Sequence, residues 1–340
     1  KRQLQDSGDY PRGLIVDLWG SATMRTAGEE FAMALHLLGV RPVWDKGSGR
    51  VTGTEIIPIA ELERPRLDVT LRVSGLFRDV FPTLTALFAQ AVRALAARDE
   101  APDWNPFASD PGQRVYGPKP GSYGLGMEHL PEELTDEARQ KAGEAWLAAS
   151  AWAMDGERSQ EDADGISARV NAAEAFVHLQ DMRETDLLLA AAYATHEAGF
   201  AAAKAVAGGA NSALYHQDNT DPDQPRARAL SEEVARVVQG RAAQPGWIAG
   251  MTRHGFRGAA EIAATLDHMA AFANLAGVVG PHLFDVYYDA TLGDDDVVGF
   301  LAKANPAALA AMKAQFAALH RAGLWTTRRN SIRAELEAAE

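Results

Sequence analysis

The order of strand-type and helix-type segments in residues 13–98 constrains the fold more than any other feature of the chain. "GLIVDLWG" reads as a strand followed by turn residues. Thr26 and Glu29 then form a T-x-x-E capping box, a pairing that satisfies backbone donors where a helix starts. The helix runs through Phe31, Leu35 and Leu38, and Gly39 suits its C-terminal cap. "RPVWD" and "TEIIPIAEL" read as extended segments on either side of a "KGSGR" turn, and Val69 to Val73 as a further strand. Pro82 opens a helix with Leu84, Leu87, Phe88, Ala91 and Leu95 on one face. Strand–helix–strand order predicts an α/β fold, a mostly parallel sheet with flanking helices.

Residues 99–130 are dense in Pro, Gly, Asp and Ser, including "YGPKPGSYGLG", and read as a long loop. Beyond it the chain is largely helical, with segments near 135–153, 229–243, 258–279, 296–304 and 306–321. The expected organisation is an α/β domain over 1–130, ending in that loop, and a mainly helical region over 131–340. At 340 residues the chain is long enough for two domains.

The stretch "VTLRVSGLFRDVFP" (69–82) poses the functional question. Arg72 interrupts an apolar strand, and Arg78 and Asp79 stand between Leu76, Phe77, Val80 and Phe81. In an open parallel sheet, ligands bind beyond the carboxyl ends of the strands. Arg78–Asp79 falls at such an end, as do Trp19-Gly20-Ser21 and Arg25 after the first strand. Two such ends fit a pocket for a large, flat, anionic molecule. The plainer alternative is that Arg78 and Asp79 pair with neighbours to fix the junction.

Composition narrows the partners. The formal net charge is −13, which argues against nucleic acid or an anionic membrane as the main partner. No run approaches the ~18 apolar residues of a spanning helix, and no signal peptide opens the chain. With no Cys, disulfides, thiolate metal sites and Cys nucleophiles are excluded. The plain expectation is a cytoplasmic protein. Residue 1 is Lys rather than Met, so a fragment of something longer is expected.

No Walker-type phosphate loop, H-E-x-x-H, C-x-x-C or G-x-S-x-G motif is present, and "GGANSALYH" (208–216) reads as a turn. "FVHLQDMRETDLL" (176–188) alternates as an extended segment around His178, with Glu184 and Asp186 after it and His196-Glu197 ten residues on. Carboxylates and imidazoles can handle a metal without Cys, or remove protons from a nitrogen macrocycle. Solvated surface charge is the alternative for Glu184 and Asp186. In "RHGFRGAAEIAATLDHM" (253–269), Arg253, His254 and Arg257 precede a helix, where backbone donors attract anions. Glu261 and His268 lie on one stripe of that helix. Carboxylate recognition and a surface helix cap are the two readings.

"VDLWGSATMRTAGEE", "GVRPVWD", "VTGTEIIP", "RLDVTLRVSGLFRDVFP", "PGSYGLG" and "MTRHGFRGAAEIAATLDH" resemble the large subunits of aerobic cobaltochelatase (CobN type) and magnesium chelatase. The likeness runs from about residue 13 to about 330 and corresponds to the C-terminal portion of a much longer protein. It implies a tetrapyrrole-binding subunit with the metal-insertion site, served by two smaller subunits of which at least one is an AAA+ ATPase. In the cobalt branch, favoured by Arg25 and Arg253-His254, Co²⁺ enters hydrogenobyrinic acid a,c-diamide. ATP with Mg²⁺ then belongs to the partner subunits, and no cofactor is expected on this chain itself. The candidate substrate-binding residues are Trp19, Arg25, Arg72, Phe77, Arg78, Tyr123, Arg253 and Arg257. The candidate catalytic residues are His254, Glu261, Glu184, Asp186, His196 and Glu197, with the metal ligands left open. Leu189, Ala190, Ala191 and Ala192 stand where many relatives carry acidic residues, which weakens a metal-relay role for that segment. A non-catalytic docking module for the ATPase partners, or the same role in a magnesium chelatase, are the alternatives.

Overall fold

Strands buried on both faces of a parallel sheet are mostly apolar, and helices cover those faces. The computed structural model of the protein, which describes residues 1–124, 127, 133–330 and 332, is built on that rule. Its strands are β1 (Gly13–Leu18), β2 (Val40–Trp44), β3 (Val51–Ile56), β4 (Asp68–Val73), β5 (Val115–Gly117), β6 (Trp152–Asp155), β7 (Arg158–Glu161), β8 (Ala175–Gln180), β9 (Ala213–Asp218) and β10 (Arg226–Ala229). Among the described residues eight of them form one sheet, in the order β10-β9-β8-β1-β4-β5-β6-β7. Pairing is parallel from β9 through β8, β1 and β4 to β5, and antiparallel through β6 to β7. β2 and β3 form a separate antiparallel hairpin.

The chain divides into two compact units. The first comprises Lys1–Glu128, Gly143–Asp181 and Ala203–Arg228; the second comprises His129–Ala142, Met182–Ala202 and Ala229–Glu340. The point between residues 130 and 131, where the sequence suggested a domain boundary, lies outside the described residues.

In the first unit the helices Glu29–Leu38 and Pro82–Ala96 bring Phe31, Leu35, Leu38, Phe88, Val92 and Leu95 into the core with β1 and β4. Phe31 meets Phe88 edge-on at 6.0 Å between ring centroids. Thr26 keeps half of the expected capping box. Its Oγ1 accepts from the Glu29 backbone N–H at 3.3 Å but donates to Glu30 rather than pairing with the Glu29 carboxylate. The helix Ala163–Ala172 ends under a buried lysine: Lys204 Nζ donates to the carbonyls of Val170, Asn171 and Ala173. A cation at orphaned C-terminal carbonyls is the favourable partner for the helix dipole.

The second unit is helical, with Leu230–Val237, Pro245–Thr252, Gly255–Ala276, Pro281–Ala290, Asp295–Ala304 and Pro306–Arg321 close to the expected spans. The sheet, however, reaches further along the chain than the alternation in 13–98 indicates. Residues 99–124 hold β5 and a 3₁₀ turn at Pro106–Ala108, and the helix expected near 135–153 stops at Ala148 before the β6–β7 hairpin. "GGANSALYH" runs into β9 rather than only a turn. These strands have three to six residues, and polar groups break their apolar runs.

Candidate functional site

Side chains directly opposite one another in parallel strands share a face of the sheet. Asp17 on β1 stands opposite Arg72 on β4 and His178 on β8. His178 is opposite His216 on β9, and Arg72 opposite Tyr116 on β5. A polar row, Tyr116–Arg72–Asp17–His178–His216, therefore crosses five strands toward their carboxyl ends. None of the five residues is more than 1% exposed.

Asp17 is the hub. Arg72 Nη1 donates to its Oδ1 at 2.9 Å, while Trp19 Nε1 donates to Oδ2 at 3.0 Å. His178 Nδ1 lies 3.0 Å from the same Oδ2. Arg72 Nε reaches Ser150 Oγ at 3.2 Å, and its guanidinium lies over the Trp146 ring at 5.2 Å. The Trp19 indole packs on the His178 imidazole with centroids 4.5 Å apart. His216 Nε2 meets Gln180 Oε1 at 3.0 Å, and Tyr116 donates its hydroxyl to Asp162 at 2.7 Å. Burial pulls the Arg72 pKa down while Asp17 opposes the shift; burial and the bond to Asp162 push the Tyr116 phenol up. Taking such groups out of water is costly unless they are paired, as Arg72 and Asp17 are.

The turns after β1 and β4 are locked together beside this row. Ser74 Oγ accepts from the backbone N–H groups of Gly20 and Phe77. A Cβ on Gly20 would stand 2.5 Å from the Phe77 nitrogen, so only glycine permits that approach. Arg78 donates to both carboxylate oxygens of Asp79 and, through Nη1, to the carbonyls of Pro118, Lys119 and Ser122. Tyr123, largely exposed, lies over the Arg78 guanidinium and donates to Asp79. Together these bonds hold Asp79 below the usual carboxylate range. Arg25 forks onto Asp181, while Phe77 is fully buried in the apolar core.

In the second unit Asp186 is buried. Arg241 clasps both its oxygens, and its Oδ1 also accepts from the Leu188 backbone. The Arg241 guanidinium stacks on Trp247 at 4.6 Å. His268 Nδ1 meets the Leu188 carbonyl at 2.7 Å; burial lowers its pKa, against the opposing pull of that carbonyl, Glu261 and Asp186. His196 and Glu197 are buried within a π-helical turn, Ala194–Ala198, and Arg241 sits in a second one, Val238–Ala242. Such turns are rare and recur at functional sites.

Glu184, Arg253 and His254 are exposed, and the His254 side chain makes no capping bond to the helix that follows it. Arg257 faces Glu261 at 3.9 Å, its own side chain 87% exposed. Of the residues singled out from the sequence, the first unit thus joins Trp19 with Arg72, and separately Arg78 with Tyr123. Asp17, His178, His216 and Ser150 complete the first group without having been singled out as a site. For Asp17 the signal is one polar residue late in an otherwise apolar strand, "GLIVDL"; in "AFVHLQ" and "ALYHQD", His178 and His216 share their strands with other polar residues. Among the described residues no three His, Asp or Glu gather as a metal-ligand set.

The fold and the row together define an α/β module with a mostly parallel sheet and a buried carboxylate–imidazole–guanidinium row near its strand ends, the place where open sheets of this kind hold ligands. The comparisons with known proteins specify which. A family model described as CobN/Magnesium Chelatase matches residues 1–332, and the chain belongs to that family. It is 41% identical to the aerobic cobaltochelatase subunit CobN of Sinorhizobium sp. over 99% of this chain and 28% of that protein. It is 28% identical to a magnesium-chelatase subunit of Rhodobacter capsulatus over 92% of this chain and 27% of that protein. The catalytic subunit of cobaltochelatase from Mycobacterium tuberculosis superposes with a TM-score of 0.90 at 32% identity, over 99% of this chain and 30% of that one. The chain therefore spans a little over a quarter of the length of these relatives.

Proposed function

We propose that the chain is part of the large subunit of an ATP-dependent cobaltochelatase and helps insert Co²⁺ into a corrin-type tetrapyrrole, hydrogenobyrinic acid a,c-diamide. The observation that carries the reading is the higher identity to the cobalt-type relative, 41% against 28% for the magnesium type, over nearly the whole chain in both cases. The chemistry of the residues supports it. Insertion releases two protons from the macrocycle's nitrogens, and the macrocycle carries carboxylates at its edge. Imidazoles and carboxylates can accept the protons. Arg253 and Arg257 offer guanidinium forks for the carboxylates. His254 and Glu261, on one exposed stretch with Arg253 and Arg257, are proposed to face the substrate in the whole subunit. Glu184, with the buried Asp186, His196 and Glu197, is the second proposed set. ATP with Mg²⁺ is assigned to two smaller partner subunits, one an AAA+ ATPase, because the chain has no phosphate-cradling loop.

Absorbance titration of the whole large subunit with the corrinoid and, separately, with a porphyrin tests the substrate class. Tighter binding of the corrinoid is expected; preference for the porphyrin would move the assignment to the magnesium branch. A docking role toward the ATPase partners is the second reading, favoured by Phe256, 69% exposed between Arg253 and Arg257. Phe256→Ala and Arg257→Ala would then weaken subunit association and leave the corrinoid titration unchanged.

A further inference from the structure

We infer that the cavity beside the short helix Arg2–Ser7 is a binding site for a small apolar carboxylate, with Arg64 as its charge partner. The inference goes beyond the chelatase reading and does not rest on it.

The cavity follows from how the sheet is covered. On one face the helices Glu29–Leu38 and Pro82–Ala96 pack on β1 and β4. Next to them lies the six-residue helix Arg2–Ser7, none of whose residues is buried. Tyr215 of β9 tethers it by donating to Gln3 and Asp6. Between the two kinds of cover lies a cavity of about 540 Å³, inside the ~300–1,000 Å³ range of small-molecule sites. Its floor is apolar: Leu14 of β1, Ala175 and Val177 of β8, with Met33 and Leu37 from the helix at its side. In register, Leu14 stands opposite Ala175, and Asp17 opposite His178. The floor is therefore the face of the sheet turned away from the Asp17–His178 row, and the cavity is a separate site.

Charge selects the ligand. The buried arginines Arg66, Arg72, Arg78 and Arg114 each close on a carboxylate, of Glu100, Asp17, Asp79 and Asp68 respectively. Arg64, half-buried in the cavity wall, has no carboxylate partner among the described residues. Its Nη1 donates to the carbonyls of Leu37 and Pro65, and its Nη2 to that of His36. Those bonds hold the guanidinium in place, but the end of a helix dipole supplies only partial negative charge. Burial lowers the Arg64 pKa, with Tyr10 opposing the shift and Arg66 adding to it. The other charged groups lining the cavity are Lys1, Arg2 and Glu63, and Arg2 forks onto Asp6. Three cations thus stand against two carboxylates, on a chain whose net charge is −13. An apolar body with one carboxylate satisfies both the floor and the guanidinium, which can present two N–H donors to it.

Photolabelling of the whole large subunit tests this. The probes are 4-benzoylbenzoate, an aromatic ketone with one carboxylate, and neutral 4-methylbenzophenone, with labelled peptides mapped by mass spectrometry. The acid is expected to label the cavity wall, Met33 and Leu37 foremost. Its half-saturating concentration should lie about 10–100-fold below that of the neutral ketone, as one charged hydrogen-bonded pair provides. Arg64→Gln keeps a donor for the helix carbonyls and should abolish the preference for the acid, which loss of a helix cap alone would not do. Leu37→Trp fills the cavity and should suppress labelling by both probes. Equal labelling of the wall by acid and ketone, labelling confined to other parts of the subunit, or an undiminished preference in folded Arg64→Gln overturns the assignment. If either variant fails to fold, the wild-type map and the acid-to-ketone ratio still decide. Cobalt insertion by the same subunit with its partners bears only on the chelatase reading.

Discussion

The Arg78 guanidinium is turned inward: Asp79 takes two of its donors and three loop carbonyls share a third nitrogen. An ammonium cannot fork in this way, so Arg78→Lys should loosen residues 118–123 and cost about 1–3 kcal/mol, the range for buried polar groups that lose their partners. Chemical denaturation of the whole subunit measures it. His268 carries a pH dependence of definite sign. Its folded pKa lies below the 6.5 of an unfolded histidine because burial disfavours the charged ring. The folded state therefore binds fewer protons, so the His268 contribution is complete above about pH 6.5 and is lost as pH falls below it. His36, shifted down by burial and by Arg64, adds in the same direction. Urea unfolding at pH 7.5 and 5.5 should show a smaller acid-side loss for His268→Gln than for wild type. Residues were legible in the sequence where they broke a local rule, as Arg72 did inside an apolar strand. Asp17 breaks the same rule, but its meaning, like that of His178 and His216, depends on register between strands far apart in the chain.

Elements were legible in proportion to their length. The helices Pro82–Ala96 and Gly255–Ala276 show their apolar stripes plainly, whereas β5, of three residues, and β6 and β7, of four, are too short for any period to emerge. In "RHGFRG", Gly258 brings the backbone close to the preceding helix, Pro245–Thr252. A Cβ there would stand 1.9 Å from the Met251 carbonyl oxygen. Gly258→Ala should force the two helices apart, destabilising the subunit by about 1–3 kcal/mol as overpacking does. A shifted thermal midpoint with unchanged corrinoid affinity is the expected result; an unchanged midpoint would contradict the packing.

At the scale of the whole molecule, both compact units are assembled from separated stretches of chain, and no local pattern announces such long-range contacts. Family membership was nevertheless legible from a handful of long motifs, because they mark the turns and strand ends that the fold holds in place. No helix among the described residues is long and apolar enough to cross a membrane. The most direct measurement is the rate of Co²⁺ insertion by the whole large subunit, mixed with both partner subunits and followed by corrinoid absorbance with and without ATP. The account predicts a cobalt corrinoid only when all three subunits and ATP are present. Insertion by the large subunit alone, or insertion of Mg²⁺ into a porphyrin in place of Co²⁺ into the corrinoid, would contradict it.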